Sequence, residues 1–170
     1  MNTLTAIATR RTTRDFKPDQ ISDKDLKIIL SAGSSAPVAL GDYSYVHFTV
    51  VQNRDVLRRT AGNFPDPIFY GAPTVVVISA KPYTYEGSDL IACFNTGCII
   101  ENMYLAATEL SLGCVFISNT FEESQEDAIT LGEFGLPEGF MPIASVALGY
   151  PVEPIVEKNE FKNEVSILRI

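Results

Sequence analysis

The chain has 170 residues, the length of one domain, and its 46% hydrophobic and 20% charged residues support a packed core and exclude global disorder. Lys and Arg number 13 against 21 Asp and Glu, a net charge of −8 that argues against nucleic acid and anionic membranes as partners. Three cysteines without C-x-x-C spacing and a single histidine exclude a disulfide framework, a zinc knuckle and multi-histidine metal sites, so no metal site is expected.

In chain order, a short helical pattern runs from Leu4 to Thr9 and leads into Arg10-Arg11-Thr12-Thr13-Arg14. Ser22 and Asp25 have the spacing of a capping box, Leu26, Ile29 and Leu30 form one apolar face, and Gly33 is expected to stop that helix. Val46 to Val51 reads as a strand, Asn53 as the cap of a short helix ending near Gly62, and Pro65 to Pro73 as loop. The Val-rich run Thr74 to Ser79 reads as a buried strand. Ser88 to Leu112 predicts a central helix with Gly113 as its stop, and Asn95, Glu101, Asn102 and Glu109 make a membrane span unfavourable there. Cys114 to Ser118 predicts a strand, Thr120 and Glu123 the start of a helix ending before Gly132 or Gly135, and Pro142 to Leu148 a further strand. Val165, Ile167 and Leu168 predict a final strand. The alternation predicts one layer of sheet with helices against it, in a single domain over residues 1–170. No signal peptide is evident, and with reduced thiols this suggests a cytoplasmic protein.

The densest charge feature is the cluster at residues 10–14, three guanidiniums and two hydroxyls in five positions. Guanidinium forks suit phosphate oxygens or the carbonyls of a planar heterocycle. A solvated basic turn at a helix C-terminus explains the same residues. Ala36-Pro37-Val38-Ala39-Leu40-Gly41-Asp42-Tyr43 is small and apolar, a loop able to lie flat on a ring system or simply to connect two elements. G-x-G-x-x-G, G-x-x-x-x-G-K and G-x-S-x-G are all absent. His47 lies inside a predicted strand and reads as a packed sheet residue, and the cysteines read as core. No residue set makes an acid, base or nucleophile, so an enzyme built on this chain would rely on a cofactor for its chemistry.

Arg10-Arg11-Thr12-Thr13-Arg14-Asp15-Phe16, Ala36-Pro37-Val38, Gly71-Ala72-Pro73-Thr74, Glu101 to Ala107 with Leu112-Gly113, Gly135 to Phe140 and Ala147-Leu148-Gly149-Tyr150-Pro151 together resemble the FMN-dependent nitroreductase family. The resemblance implies an α+β fold with a central, mostly antiparallel sheet flanked by helices. It also implies a homodimer with FMN in clefts at the subunit interface and NAD(P)H as co-substrate. Reducing equivalents would pass to a nitroaromatic, quinone or related electrophilic small-molecule acceptor by a ping-pong mechanism. By the same resemblance, Arg10, Arg11, Thr12 and Arg14 hold the FMN phosphate, ribityl chain and pyrimidine edge. Pro37, Val38 and Ala39 come from the partner subunit, and Ser118, Asn119 and Thr120 pass near the flavin through backbone N–H groups. Lys158 or Lys162 assists the phosphate. Leu40 to Tyr45 departs from the Asn-x-Gln-Pro-Trp that follows A-P-S in the family, and the chain has no Trp. That departure leaves a second expectation, a non-catalytic flavin-binding or sensing protein, and a third, a structural dimer with solvated arginines.

Overall fold

The computed structural model describes residues 1–62, 68–82, 90–118, 134–161 and 165–170. Among the described residues four α-helices, α1 (Thr3–Thr9), α2 (Asp23–Ser34), α3 (Arg54–Gly62) and α4 (Ile91–Glu109), accompany four strands, β1 (Val46–Val51), β2 (Thr74–Ala80), β3 (Gly113–Ile117) and β4 (Met141–Gly149). The strands form one fully antiparallel sheet in the order β1-β2-β4-β3. The predicted helix beginning at Thr120 lies outside the described residues, as do parts of the Pro65 to Pro73 and Ser88 segments.

The Val-rich run becomes β2 because both faces of the sheet are covered. Val76 and Ile78 point into a core with Ile29, Ile99, Met103 and Leu148, while Val75 and Val77 point into a second core with Leu57, Phe69, Val115 and Phe134. A strand buried on both faces has no polar side to alternate with, hence its unbroken apolar sequence. Helices α2 and α4 cover the first face, and α3 with the turn at residues 68–72 covers the second.

The helix starts follow their capping residues. Asn2 Oδ1 accepts from the Thr5 N–H at 2.9 Å, Ser22 Oγ from Asp25 N–H at 3.1 Å, and Asn53 Oδ1 from Asp55 and Val56 N–H at 2.9 and 3.2 Å. The two glycine stops fall elsewhere. Gly33 lies inside α2, where a methyl group would overlap Met103 Cε and come within 3.0 Å of its Cγ, so its role is close approach to α4. Helix α4 is ended by Ser111 at φ 58°, with Ser111 N–H bonded to Thr108 O at 3.0 Å and Leu112 N–H to Ala107 O at 2.8 Å. That is a Schellman closure with serine where glycine is usual. Gly113 instead opens β3 and faces Gly149 of β4 across the ladder. A Cβ at Gly113 would lie 2.7 Å from Thr13 Cγ2 and 3.0 Å from Phe16 Cε1, and one at Gly149 would lie 3.0 Å from Phe16 Cδ1. The glycine pair is therefore a slot for the Phe16 ring.

Residues 10–17 form no helix or strand of their own but run along the ends of β3 and β4. Thr12 bridges Cys114, Thr13 N–H donates to Cys114 O at 2.9 Å, Phe16 bridges Pro151, and Lys17 N–H donates to Tyr150 O at 2.8 Å. The chain after β4 then returns along α1, where Thr9 Oγ1 accepts from Lys158 N–H at 2.9 Å and donates to its carbonyl at 3.2 Å. The expected final strand is not formed. Val165, Ile167 and Leu168 are 79, 80 and 82% exposed and pair with no strand among the described residues. A strand is held by the edge it joins, and hydropathy does not say whether its own chain offers one.

Candidate functional site

Extended backbone alternates its side chains, and the bridge at Thr12 imposes that alternation on the arginine cluster. Arg10, Thr12 and Arg14 face one way, into a cavity of about 340 Å³ whose opposite wall is Gly97, Glu101 and Tyr104 of α4. Arg11 and Thr13 face another of about 280 Å³, bordered by Asp15 and Glu153, and Thr12 and Arg14 border both spaces. The predicted cluster is thus split. Arg11 donates through Nη2 to Glu153 O at 2.7 Å, with its Nη1 3.8 Å from the Glu153 carboxylate, while Arg11 Nε and Thr13 Oγ1 are buried without a partner.

Arg10 sits at the C-terminal end of α1, where a cation is favoured by the exposed carbonyls. Its guanidinium lies 5.2 Å from the Tyr104 ring centre, and its Nε is 3.8 Å from Glu101 Oε1. The guanidinium of Arg14 lies 5.9 Å from the Tyr70 ring centre. Both arginines are therefore held by aromatic faces, a contact that leaves N–H groups at the guanidinium edge, with Arg10 Nε turned to Glu101.

Tyr104 ties the site together. Its phenol oxygen accepts from Phe116 N–H of β3 at 3.1 Å, and its O–H points to Thr12 Oγ1 at 3.4 Å. Burial, then the neighbouring Cys114, push the phenol above its ordinary value of 10.0, against the opposing pull of Thr12, Phe116 N–H and Arg10. Burial, with Glu101 adding to it, pushes the Cys114 thiol well above 9.0. Both groups therefore stay neutral at physiological pH. Sequence reasoning did not place Gly97, Glu101 or Tyr104 in a binding wall. The signal for it was their spacing of four and three residues, which puts them on one face of a helix.

The remaining predicted residues are less concentrated. Pro37 is exposed, and Val38 and Ala39 are half-buried. The Ala39 N–H donates to Asn95 Oδ1 at 3.0 Å, and the loop is closed by Tyr43 O–H donating to Ala36 O at 2.8 Å. These loop residues border neither arginine cavity. At the loop's turn Leu40 adopts φ 58° with its side chain 86% exposed. Ser118 follows β3 and is exposed, Lys158 is an exposed side chain beside Thr9, and Asn119 and Lys162 lie outside the described residues. His47 packs in β1 with its ring 5.5 Å from that of Phe140, as expected of a sheet residue. The cysteines differ from expectation. Cys114 is core, but Cys93 and Cys98 are exposed, on the same uncovered stripe of α4 as Gly97 and Glu101. Glu109 pairs with the N-terminal amine of Met1.

Sheet, helices and cavity together define an α+β protein with a guanidinium-lined cleft between an arginine-bearing edge segment and a central helix. The sequence pattern of the nitroreductase family matches residues 7–64 and 59–150, and the chain belongs to that family. An Archaeoglobus fulgidus protein whose name carries both NADH dehydrogenase and NAD(P)H nitroreductase is 32% identical over 153 residues, covering 87% of this chain and 84% of its own. An NADPH-flavin oxidoreductase of Vibrio harveyi is 27% identical over 162 residues, covering 88% of this chain and 66% of its own. The crystal structure of a Bacteroides fragilis nitroreductase with bound FMN is 30% identical with a TM-score of 0.81, covering all of both chains. The expected α+β, antiparallel-sheet architecture is thereby borne out.

Proposed function

We propose that this protein is an FMN-dependent oxidoreductase that passes reducing equivalents from NAD(P)H to nitroaromatic, quinone or related electrophilic acceptors, in alternating half-reactions. The observation that carries the proposal is the cavity holding the Arg10 and Arg14 guanidiniums with the Thr12 hydroxyl, in a chain alike over its whole length to an FMN-bound nitroreductase. The cavity fits such a group chemically: two guanidiniums and a hydroxyl suit a phosphate or the carbonyl edge of a flavin, and the Tyr104 ring and Ile100 give an apolar wall. The buried, unpartnered Arg11 Nε and Thr13 Oγ1 offer further polar capacity on the other side of the segment.

Arg10, Thr12 and Arg14 would hold the cofactor, Arg11 would support it from behind through Glu153, and Lys158 and Lys162 would add positive charge from the tail. Ser118 and Asn119 would approach the ring from the end of β3. When bound, the flavin supplies the electron-transfer chemistry. The chain's own part is to orient it and to place positive charge beside developing negative charge. A homodimer belongs to the same proposal, with Pro37, Val38 and Ala39 of each chain completing the other's cleft. It is supported by the apolar side chains Leu4, Leu90 and Phe94, exposed at 65, 61 and 66%, and by the exposed apolar tail. The location proposed is the cytoplasm; no helix among the described residues is long and apolar enough to cross a membrane.

The test is the visible spectrum of the purified protein before and after anaerobic NAD(P)H. A bound flavin that bleaches and recovers on adding p-benzoquinone is expected, and a protein that takes up no FMN on titration overturns the reading. The departure of Leu40 to Tyr45 from the family's pattern supports the second reading, a flavin-binding protein without turnover, which predicts bound FMN that NADH and NADPH both fail to bleach.

A further inference from the structure

Glu101 is out of keeping with a cavity built to hold an anion. It lies on the α4 wall opposite Arg10, with its Oε1 3.8 Å from Arg10 Nε, and the two side chains are 53 and 33% exposed. An ion pair of that length and exposure is weak and readily exchanged. It is not what fixes Arg10, which is also held over the Tyr104 ring and at the end of α1. Nor can the carboxylate withdraw with its helix. Ile100, Met103 and Tyr104 are buried, and Asn102 Nδ2 donates to Ala32 O at 3.1 Å, pinning α4 against α2 on either side of Glu101. Any anion placed on Arg10 is therefore held within reach of the Glu101 carboxylate and opposed by it.

We infer that Glu101 is an internal anion that competes for Arg10 and weakens every anion bound there, so that small free anions such as inorganic phosphate are held too weakly to occupy the cavity. A ligand with further contacts tolerates the competition, whereas a bare anion has only the guanidiniums to bind. The inference rests on the reading of this cavity as the seat of a phosphate-bearing cofactor. It extends that reading to how the seat rejects other anions.

The experiment is calorimetric titration of the full-length protein and of Glu101→Gln with inorganic phosphate, FMN and riboflavin, with circular dichroism to establish that both are folded. In Glu101→Gln, phosphate and FMN should each bind roughly two- to fivefold more tightly, the scale of one partly exposed ion pair, and riboflavin should be unchanged. A residue serving only structure would weaken binding on substitution. Unchanged or weaker phosphate and FMN binding overturns the inference, as does a gain by riboflavin equal to that of FMN. If the variant gains phosphate affinity while neither protein binds FMN, the inference stands and the cofactor reading fails. If the wild type binds FMN and the variant gains nothing, the reverse holds, and binding of neither ligand to either protein removes both.

Discussion

Arg10, Thr12 and Arg14 share one face of an extended segment while Arg11 and Thr13 share the other, so substitutions along this run should not have equal effects. Arg10→Ala and Arg14→Ala should each weaken FMN binding by roughly tenfold to a hundredfold, about 1.5–3 kcal/mol for a charge-assisted hydrogen bond. Arg11→Ala, whose guanidinium is already engaged by Glu153, should cost less. Flavin fluorescence quenching on titration measures all three, and equal losses would contradict the split. Tyr104 and Cys114 make a second prediction at this scale. Both are acids whose folded values lie above their unfolded ones, so the stabilisation is complete below about 9 and is lost as pH rises, first through the range of Cys114 ionisation and then above about 10 for Tyr104. The unfolding midpoint should be flat near neutrality and fall above pH 9, and Cys114→Ala should reduce the early part of that fall.

Among the elements, the close contact of α2 and α4 sets two effects against each other. Gly33→Ala should gain about 1 kcal/mol in helix propensity but lose about 1–3 kcal/mol to overlap with Met103. Because Met103 is fully buried and Ile99 closes the other side, overlap should win and chemical denaturation should show net destabilisation. Gly33 and Gly113 also show where legibility ended. A glycine at the end of an apolar pattern reads as a stop, yet here the left-handed position fell to Ser111, and both glycines answer to atoms remote in sequence. β2 and the helix caps at Ser22 and Asn53 were legible from local sequence, whereas the Asn2 cap of α1 was not read. The arginine cluster was legible as charge, but its division needed the Thr12–Cys114 bridge, and Glu101 and Tyr104 became wall residues only once α4 had a neighbour.

For the whole molecule, the proposed cofactor should stabilise the folded form by mass action. At a hundredfold excess over Kd the gain is about 2.7 kcal/mol, which for a chain of this size raises the midpoint by about 5–10 °C. Differential scanning fluorimetry with and without FMN measures it. The exposed tail makes a separate prediction. Removing residues 165–170 should leave the helix and sheet content by circular dichroism intact, since those residues pair with no strand among the described residues, but should shift the particle toward monomer in sedimentation.

Phe16, seated between Gly113 and Gly149, adds an aromatic plug to the backbone bridges that locate the arginine run. Phe16 fills the slot at the glycines and does not line the cavity of Arg10 and Arg14, so the two tasks are separable. Positions 10, 12 and 14 could be recast for a differently charged guest with the scaffold intact, whereas a larger residue at either glycine would press on Thr13 or Pro73 as well as on the plug and shift the seat of the whole run.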